Sequence, residues 1–431
     1  MKKLTLISAV ALSTISTLSA QTDVNVTGST AYRANFYRAV QAILSPGYTV
    51  AYNGGTAGAG NGTQSALEGS NFAIFNGNLA SNGHAVRIKT SFTGSEAGIQ
   101  AVGKQTAIAF YPDSQTTGAL ADSAGAGTPV NTETAQVDMA DTQQAASNFS
   151  GRYKGFTYPS LTENANSPLG VVPFKFYGTN GCTVGNVTAQ QVRALYTGGG
   201  HLPLSFFTGN TGDSGVTVNA TGRNPDSGTR VTLMAESGVG SRAVVNANQA
   251  PFANNTDDTN VANVITTANQ PVDHFNQYPA GTVNTIAVSA GDNGYDSGGK
   301  LAAALNASSL PANTQFIGYA STNDGDGQLT SRSGHAGNGT VELAYNGQTL
   351  GFQGNPNTSS YDYNTNTNLT YGRYTYWGYE HMYMGSGATG DILNAANDVA
   401  GNLKSTNAIV LLTSMHAARG GFVDGATVQP Q

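Results

Sequence analysis

Residues 222–230 read Gly-Arg-Asn-Pro-Asp-Ser-Gly-Thr-Arg, and this loop is the most informative feature of the sequence. It lies between a strand-like apolar run at residues 216–220 and a helix-like run at residues 231–236. A helix start offers unpaired backbone N–H groups and the positive end of the helix dipole, which favours a bound anion. Small residues let a ligand approach the backbone, and Arg223 supplies a planar, permanently charged fork. The loop therefore predicts an oxyanion cradle.

The same loop also fits a plainer interpretation. Asp-Ser-Gly at residues 226–228 is an ordinary turn and helix N-cap. Because the loop alone is compatible with both, the choice depends on the rest of the chain.

The N-terminal segment has the layout of an export signal. Two lysines precede a short apolar stretch at residues 4–12, and small residues end at Ala20, near which cleavage is expected. We therefore expect residues 1–20 to be a signal peptide and the mature chain to be periplasmic or extracellular. No later stretch approaches the roughly 20 apolar residues that span a bilayer, so no membrane span is expected.

Charge and composition narrow the classes of partner. Without the two signal lysines the 19 basic residues become 17, against 25 acidic ones, which is a net charge of −8. Such a surface is a poor match for nucleic acid, so no nucleic-acid partner is expected. Only 10% of residues are charged and 55 are glycine, which is typical of a neutral, hydrogen-bonding surface with long loops. The single cysteine, Cys182, is expected to be a buried or inert thiol.

Strand-like and helix-like segments alternate along the chain, which predicts the α/β class. The roughly 410 residues after the signal exceed what one core serves, so two lobes are expected. Residues 168–176 form a nearly continuous apolar run, typical of a strand buried on both faces. Thr188 and Gln191 have capping-box spacing and predict a helix start.

Two further corners of the chain are small-residue turns between a strand and a helix. One is at residues 28–31, and the other is Gly94-Ser95, which stands before a helical segment at residues 99–102. Asp138 and Asp141 lie at the end of another strand candidate. A helix start therefore points at a second Gly-Ser corner, as it does in the 222–230 loop.

Together these segments resemble the phosphate-binding proteins that serve bacterial phosphate-uptake ABC transporters, within the two-lobed periplasmic binding-protein superfamily. The likeness is a series of short motifs in the family's order, spanning most of the chain after the signal. Those motifs are Gly28-Ser29-Thr30-Ala31-Tyr32, similar to the family's first ligand loop; Gly94-Ser95-Glu96-Ala97-Gly98, similar to its Gly-Ser-Gly-Gly-Gly loop; Asp141, similar to the acidic residue that closes its Asp-x-x-x-Ser-Asp segment; residues 186–195, similar to a helix of the second lobe; Arg223 to Thr229, similar to its Arg-x-Asp-x-Ser-Gly-Thr signature; and Ile317-Gly318-Tyr319, similar to a strand near the return crossover.

The chain departs from the family's pattern in two places that concern the site. The acidic residue of the signature sits one place late, at Asp226, and Pro225 occupies the position before it. The segment at residues 137–141 is shorter than usual, which leaves open whether Asp141 or Asp138 reaches the ligand.

The resemblance implies a type 2-like periplasmic binding-protein fold, in which two α/β lobes are joined by crossover strands around a ligand cleft. Lobe I would comprise residues 21–165 plus 341–431, and lobe II residues 166–340. Loops from both lobes would hold inorganic phosphate. The implied ligand-binding residues are Ser29, Thr30, Ala31, Ser95, Asp141, Arg223, Ser227, Gly228 and Thr229.

In this interpretation Asp141 selects among oxyanions. Hydrogen phosphate can donate a hydrogen bond to an ionised carboxylate, whereas fully deprotonated sulfate cannot. A carboxylate left without that donor would reject sulfate. The alternative for Asp141 is a helix cap or strand-end carboxylate with no ligand role.

The function expected from the resemblance is capture of phosphate and its delivery to an ABC transporter permease, by a monomer without cofactor or metal. An enzyme is not expected, because the six histidines lack metal-ligand spacing and no Gly-x-Ser-x-Gly elbow occurs. Residues 385–390 match a dinucleotide-loop pattern but lack an acidic residue about 20 positions further on. Two alternatives stay open: a secreted surface or matrix protein that keeps the fold without uptake, and a binder of another oxyanion.

Overall fold

A computed structural model gives the fold. It describes residues 20–53, 66–115, 118–120, 131–142, 158, 160–240, 245, 247–248, 277–278, 280–283, 286–306, 310, 312–326, 329, 339–351, 363–422 and 425–431. The expected signal peptide, apart from Ala20, lies outside the described residues. Within the described ranges, no helix has the length and apolarity that a membrane crossing needs.

The described residues form strands and helices in alternation. The strands are β1 (Thr22–Gly28), β2 (Thr49–Asn53), β3 (Phe72–Asn78), β4 (Ala85–Ser91), β5 (Ala107–Phe110), β6 (Gly118–Leu120), β7 (Asn131–Thr134), β8 (Val137–Ala140), β9 (Thr162–Glu163), β10 (Gly170–Gly178), β11 (Asn186–Val187), β12 (His201–Pro203), β13 (Thr217–Ala220), β14 (Gly281–Val283), β15 (Ile286–Val288), β16 (Thr314–Ser321), β17 (Val341–Tyr345), β18 (Trp377–Met384), β19 (Ala417–Arg419) and β20 (Val428–Pro430). The helices are α1 (Arg33–Ile43), α2 (Ala66–Gly69), α3 (Ser95–Lys104), α4 (Ala189–Thr197), α5 (Ser205–Thr208), α6 (Gly228–Ser237), α7 (Gly298–Leu305), α8 (Thr322–Gly325), α9 (Thr367–Thr370) and α10 (Gly390–Asn402). The α/β class is confirmed.

One large mixed sheet organises the molecule, with the strand order β12-β13-β16-β10-β18-β8-β1-β4-β3-β2-β6. β1 pairs in parallel with β4 and β8, and β13 pairs in parallel with β16. We call β8, β1, β4, β3, β2 and β6 with their helices the β1 half, and β16, β13 and β12 with theirs the β13 half. Each half of the sheet therefore contains parallel strands, around β1 in one half and around β13 in the other, and has its own helices.

Strands β10 and β18 connect the two halves. Residues 170–173 of β10 pair with residues 377–380 of β18, whereas residues 174–178 pair with β16 of the β13 half. Residues 381–384 of β18 pair with β8 of the β1 half. These two strands are thus shared by both halves, as crossover strands would be, while the lobe boundaries given above stay a prediction.

The core follows the apolar patterns of the sequence. All nine residues of β10 are buried, as the run at residues 168–176 predicts. In α1 the residues at helical spacing, Phe36, Val40 and Ile43, pack into the main core, and burying each side chain of this size stabilises the fold by about 1.5–3 kcal/mol. Helix α4 begins with the predicted capping box between Thr188 and Gln191.

Cys182 has the environment that was expected for it. Its side chain is buried, and Sγ donates to Oε1 of Gln315 at 3.3 Å. Burial raises the pKa of the thiol to about 11. Because the thiolate is the reactive form, Cys182 is an unreactive core residue.

Candidate functional site

The 222–230 loop joins β13 to α6, and its last residues form the first turn of that helix. Helix α6 begins at Gly228, earlier than the apolar run at residues 231–236 indicates. Oγ of Ser227 caps the helix by accepting a hydrogen bond from the backbone N–H of Arg230 at 3.3 Å. The plainer interpretation of the loop thus describes the Ser227 hydroxyl. This cap involves neither the backbone of Gly228 nor the side chain of Thr229, which lie at the start of the helix.

Helix α3 of the β1 half begins in a similar way. Ser95 is its first residue, and Gly94 before it has φ 121°, a left-handed conformation that favours glycine. The backbone N–H of Glu96 donates to the carbonyl of Asp226 in the other half, at 3.0 Å. The starts of α3 and α6 therefore face each other across the boundary between the halves.

The carboxylate of Asp141 lies between these two helix starts. Its Oδ1 accepts from Oγ of Ser95, and its Oδ2 accepts from Oγ1 of Thr229 at 2.8 Å. Oγ1 of Thr232 donates to the Asp141 carbonyl at 3.2 Å. A Cβ at Gly228 would overlap Oδ1 of Asp141, so only glycine permits this approach. Two hydroxyls predicted to bind an anion thus bind the chain's own carboxylate here.

Electrostatics distinguish Asp141 from Asp138. Burial raises the pKa of Asp141, while the hydrogen bonds from Ser95 and Thr229 and the charge of Arg223 oppose that rise. Burial also raises the pKa of Asp138, and the charge of Asp141 adds to the effect. Neither carboxylate oxygen of Asp138 has a hydrogen-bond partner in the part of the chain that the structure describes. Asp141, and not Asp138, is therefore the residue that the structure places between the helix starts.

Arg223 is 2% exposed and holds its guanidinium at the same boundary. Nε donates to the carbonyl of Tyr295 at 3.1 Å, and Nη2 donates to the carbonyl of Asp296 at 3.0 Å and to Oγ1 of Thr30 at 3.4 Å. Among the described residues it forms no salt bridge, and its Nη1 has no hydrogen-bond partner. Burial lowers the pKa of Arg223. A buried cation without a carboxylate partner is costly, and a bound anion would relieve that cost.

The turn after β1 brings the remaining predicted residues to this boundary. Gly28 has φ 116°, and Oγ of Ser29 accepts from the backbone N–H of Ala31 at 3.2 Å, so both residues shape the turn. The carbonyl of Ala31 accepts from Nδ2 of Asn323 in the β13 half, at 3.3 Å. All nine predicted site residues are buried at or beside the boundary between the halves. Their contact with a ligand stays a prediction.

Glu96 is a buried carboxylate beside these residues that was not predicted from the sequence. It is fully buried, and neither of its carboxylate oxygens has a hydrogen-bond partner within the described ranges. Burial raises its pKa well above the ordinary value, and the charges of Asp226, Asp138 and Asp141 raise it further. The available signal was its position in the Gly-Ser-Glu-Ala-Gly segment, where the family's pattern has glycine.

A cavity of about 410 Å³ lies beside the cradle loop. Both halves line it: Thr93 and Ala97 come from the β1 half, while Asn224, Asp226 and Asp296 come from the β13 half. The boundary between the halves is therefore a cleft next to the cradle as well as a contact surface.

Comparison with known proteins gives matches among solved structures. No family model matches the chain, and no curated protein matches it. A putative phosphate ABC transporter substrate-binding protein with bound phosphate, from Clostridium perfringens, is 12% identical, with a TM-score of 0.43 over 89% of this chain and 97% of that one. An ABC-type phosphate transport receptor from Vibrio cholerae is 12% identical, with a TM-score of 0.39 over 90% and 100%.

A third match is the phosphate binding protein from Stenotrophomonas maltophilia, which is 13% identical, with a TM-score of 0.35 over 95% of this chain and 87% of that one. All three solved structures are phosphate-binding or phosphate-transport proteins.

Proposed function

We propose that this protein is an extracytoplasmic solute-binding protein that captures inorganic phosphate between the two halves of its sheet and delivers it to an ABC transporter. The observation that carries the proposal is the state of Arg223. Its guanidinium is buried at the boundary between the halves and has no salt-bridge partner among the described residues. Two helix starts and three hydroxyl groups lie around that boundary, which is the chemistry of an oxyanion site.

The groups at the boundary can replace the water that a phosphate loses. Hydrogen-bond donors come from the hydroxyls of Thr30, Ser95 and Thr229 and from those first-turn N–H groups of α3 and α6 that Asp226 and Ser227 do not already accept from. Arg223 supplies a full positive charge. An anion stripped of water requires such compensation, because an unpaired buried charge costs many kcal/mol.

Asp141 supplies the acceptor in this proposal. An entering hydrogen phosphate takes over the hydrogen bonds that Ser95 and Thr229 give to Asp141 here. In return its P–OH group donates a hydrogen bond to the carboxylate, which fully deprotonated sulfate cannot do. Phosphate is therefore the oxyanion that we expect the site to prefer.

Transport requires a signal that the ligand is bound. Residues that would contact the anion belong to both halves, so phosphate stabilises the closed arrangement over an open one. We propose that a permease reads this closure. The layout of residues 1–20 supports export, and the scattered histidines support a binding protein rather than an enzyme.

Calorimetry on the exported form, which begins after residue 20, tests the proposal. Phosphate-stripped protein is titrated with phosphate and with sulfate, and the same is done for Arg223→Met. We expect heat for phosphate only, with affinity reduced about 100-fold or more in the variant, because removing a buried charge partner costs about 3–5 kcal/mol.

The control is Arg38→Met, which removes an arginine that pairs with Glu68 within the β1 half. It should bind phosphate as the unaltered protein does. Absence of heat with every oxyanion would contradict the proposal and favour the alternative of a secreted surface or matrix protein. Heat with sulfate or another oxyanion in place of phosphate would keep the cradle and reassign the ligand.

A further inference from the structure

A second polar contact between the halves lies next to the cradle. Arg33 is the first residue of α1, two positions after Ala31. Its Nη2 lies 3.2 Å from Oδ1 of Asp324, and the two side chains are 4% and 3% exposed. Nη1 of Arg33 donates to Oδ1 of Asn71 in its own half, at 2.9 Å. Since Asp324 belongs to α8, which follows β16, this buried ion pair joins the β1 half to the β13 half.

Asp324 is fixed within the β13 half. Its Oδ2 accepts from Oγ of Ser321 at 3.1 Å. Its backbone N–H donates to that Ser321 Oγ at 3.3 Å. A Cβ at Gly298, the first residue of α7, would overlap Oδ2 of Asp324. The carboxylate thus lies at the positive start of α7, which favours its charged form. Arg33 meets a carboxylate that is already oriented to receive it.

Two amides extend the contact between α1 and α8. Nδ2 of Asn323 donates to Oδ1 of Asn35 at 2.8 Å and to the carbonyl of Ala31 at 3.3 Å. Asn35 and Asn323 are 4% and 7% exposed. The ion pair is therefore part of a buried polar contact that includes the backbone of the predicted ligand turn.

The charge of Asp324 also acts on Arg223. Burial lowers the pKa of Arg223, and among the charges that oppose this effect the largest contribution comes from Asp324, ahead of Asp141. Arg223 thus lies in the field of two buried carboxylates. Arg33 is the only one of the two arginines with a salt bridge to Asp324 among the described residues. Because Arg33 already pairs with Asp324, the Arg223 guanidinium can pair with another anion.

We infer that the Arg33–Asp324 pair is an ionic latch between the two halves. It adds to the stability of the closed arrangement beside Thr30 and Ala31, to which the ligand contributes the rest, and it occupies the charge of Asp324 so that Arg223 is available to the ligand. Arg33 is thus a positioning residue that acts on the site through Asp324 and Arg223. The effect on ligand affinity rests on the proposed function, whereas the effect on closure does not.

Small-angle X-ray scattering without ligand tests closure directly. Arg33→Gln and Asp324→Asn should each increase the radius of gyration and the maximum dimension, and added phosphate should return both toward the unaltered values. Arg33→Lys keeps a charge that can reach the carboxylate and should restore most of the compactness. Arg38→Gln is the matched control, because Arg38 lies on the same helix and pairs with Glu68 inside the β1 half.

Phosphate titration supplies the second measurement. We expect the affinity of Arg33→Gln to fall about tenfold or more, a typical size for coupling between a conformational equilibrium and a site. The double variant Arg33→Gln/Asp324→Asn should bind better than the product of the single effects predicts, because the two residues act as a pair. Circular dichroism establishes that each variant is folded; if Arg33→Gln is not, Asp324→Asn carries the test.

The outcomes separate the latch from the ligand. If the variants match Arg38→Gln in scattering and in phosphate affinity, the latch is wrong even though phosphate binds. If the unaltered protein ignores phosphate while Arg33→Gln still expands, the proposed function is wrong and the latch stands.

Discussion

Two buried carboxylates make contacts between the two halves of the sheet, and the groups that bind them differ. Asp324 lies at the start of α7 and has a cationic partner, Arg33, at 3.2 Å. Asp141 lies between the starts of α3 and α6, where hydroxyl groups bind it and, among the described residues, no salt bridge does. A charge pair fixes an interface, whereas hydroxyl donors can be transferred to another acceptor at little cost. Asp324 is therefore part of the contact between the halves, whereas Asp141 has the partners that the proposed ligand site requires.

The largest effect that we expect from this difference is a loss of selectivity for phosphate over sulfate when Asp141 is replaced. Asp141→Asn replaces an acceptor by an amide that also donates, so sulfate should gain affinity relative to phosphate. We expect the phosphate-to-sulfate affinity ratio to fall by about 100-fold or more, since sites built around a ligand hydrogen discriminate at least that strongly. Competition titrations with both anions measure the ratio.

Asp138→Asn is the matched control for that experiment. Asp138 is equally buried and only three positions away, but it has no hydrogen-bond partner in the described part of the chain. Its variant should keep the ratio. If Asp138→Asn changed the ratio and Asp141→Asn did not, the assignment of the two carboxylates would be reversed.

A somewhat smaller effect is expected from Gly228→Ala. The added Cβ would overlap Oδ1 of Asp141 and approach Oγ of Ser95 at 2.7 Å, so the starts of α3 and α6 must move apart. Overpacking of this kind costs about 1–3 kcal/mol, which corresponds to about tenfold to a hundredfold weaker phosphate binding. Titration calorimetry measures the loss.

Gly215→Ala controls for the general cost of replacing a glycine. A Cβ at Gly215 meets nothing within 4 Å, and its φ is not in the left-handed region. This variant should bind phosphate normally. Equal losses in the two variants would mean that closeness of the helix starts does not matter for the ligand.

The smallest expected effect is on stability, and it tests how a buried carboxylate without a hydrogen-bond partner differs from one in a salt bridge. Burial, and then the charges of Asp226, Asp138 and Asp141, raise the pKa of Glu96 above its ordinary value of 4.5. The folded state therefore holds this proton more tightly than the unfolded state does. By linkage, stability falls as pH rises from the ordinary pKa toward the raised one.

Glu96→Gln removes this penalty. We expect little change in the free energy of unfolding at pH 4 and a gain of about 1–3 kcal/mol at pH 8, measured by urea denaturation at both values. Glu68→Gln is the contrasting variant, because Glu68 pairs with Arg38 and should lose stability when neutralised. An equal response of the Glu96 variant at the two pH values would contradict the argument.

Local pattern was enough to predict much of the fold. The apolar run of β10, the helical spacing of α1 and the capping box of α4 are each set by residues close together in the chain, so the sequence could indicate them. The motif order likewise placed Ser95, Asp141 and Thr229 in one site, and the structure brings these three together.

What escaped prediction depends on pairs that are distant along the chain. Arg33 and Asp324 are 291 positions apart, and neither lies in a pattern that marks the other as its partner. Glu96 could be seen as a departure from glycine, but its burial beside other carboxylates follows only from how the halves meet. Ser227 shows a different limit, because a Ser-Gly sequence is typical of both a helix cap and an anion cradle, and the structure shows the cap.

The shared strands β10 and β18 set where the molecule can flex. β10 changes its pairing partner between Pro173 and Phe174, and β18 changes between Glu380 and His381. A rotation of one half against the other would act on these two steps, where the pairing with one half gives way to pairing with the other. Proline has no N–H to lose, so the first step bends at a smaller cost in hydrogen bonds than its neighbours would. A rotation of the halves about these two steps would open the boundary at which the Arg33–Asp324 pair and the 222–230 loop lie.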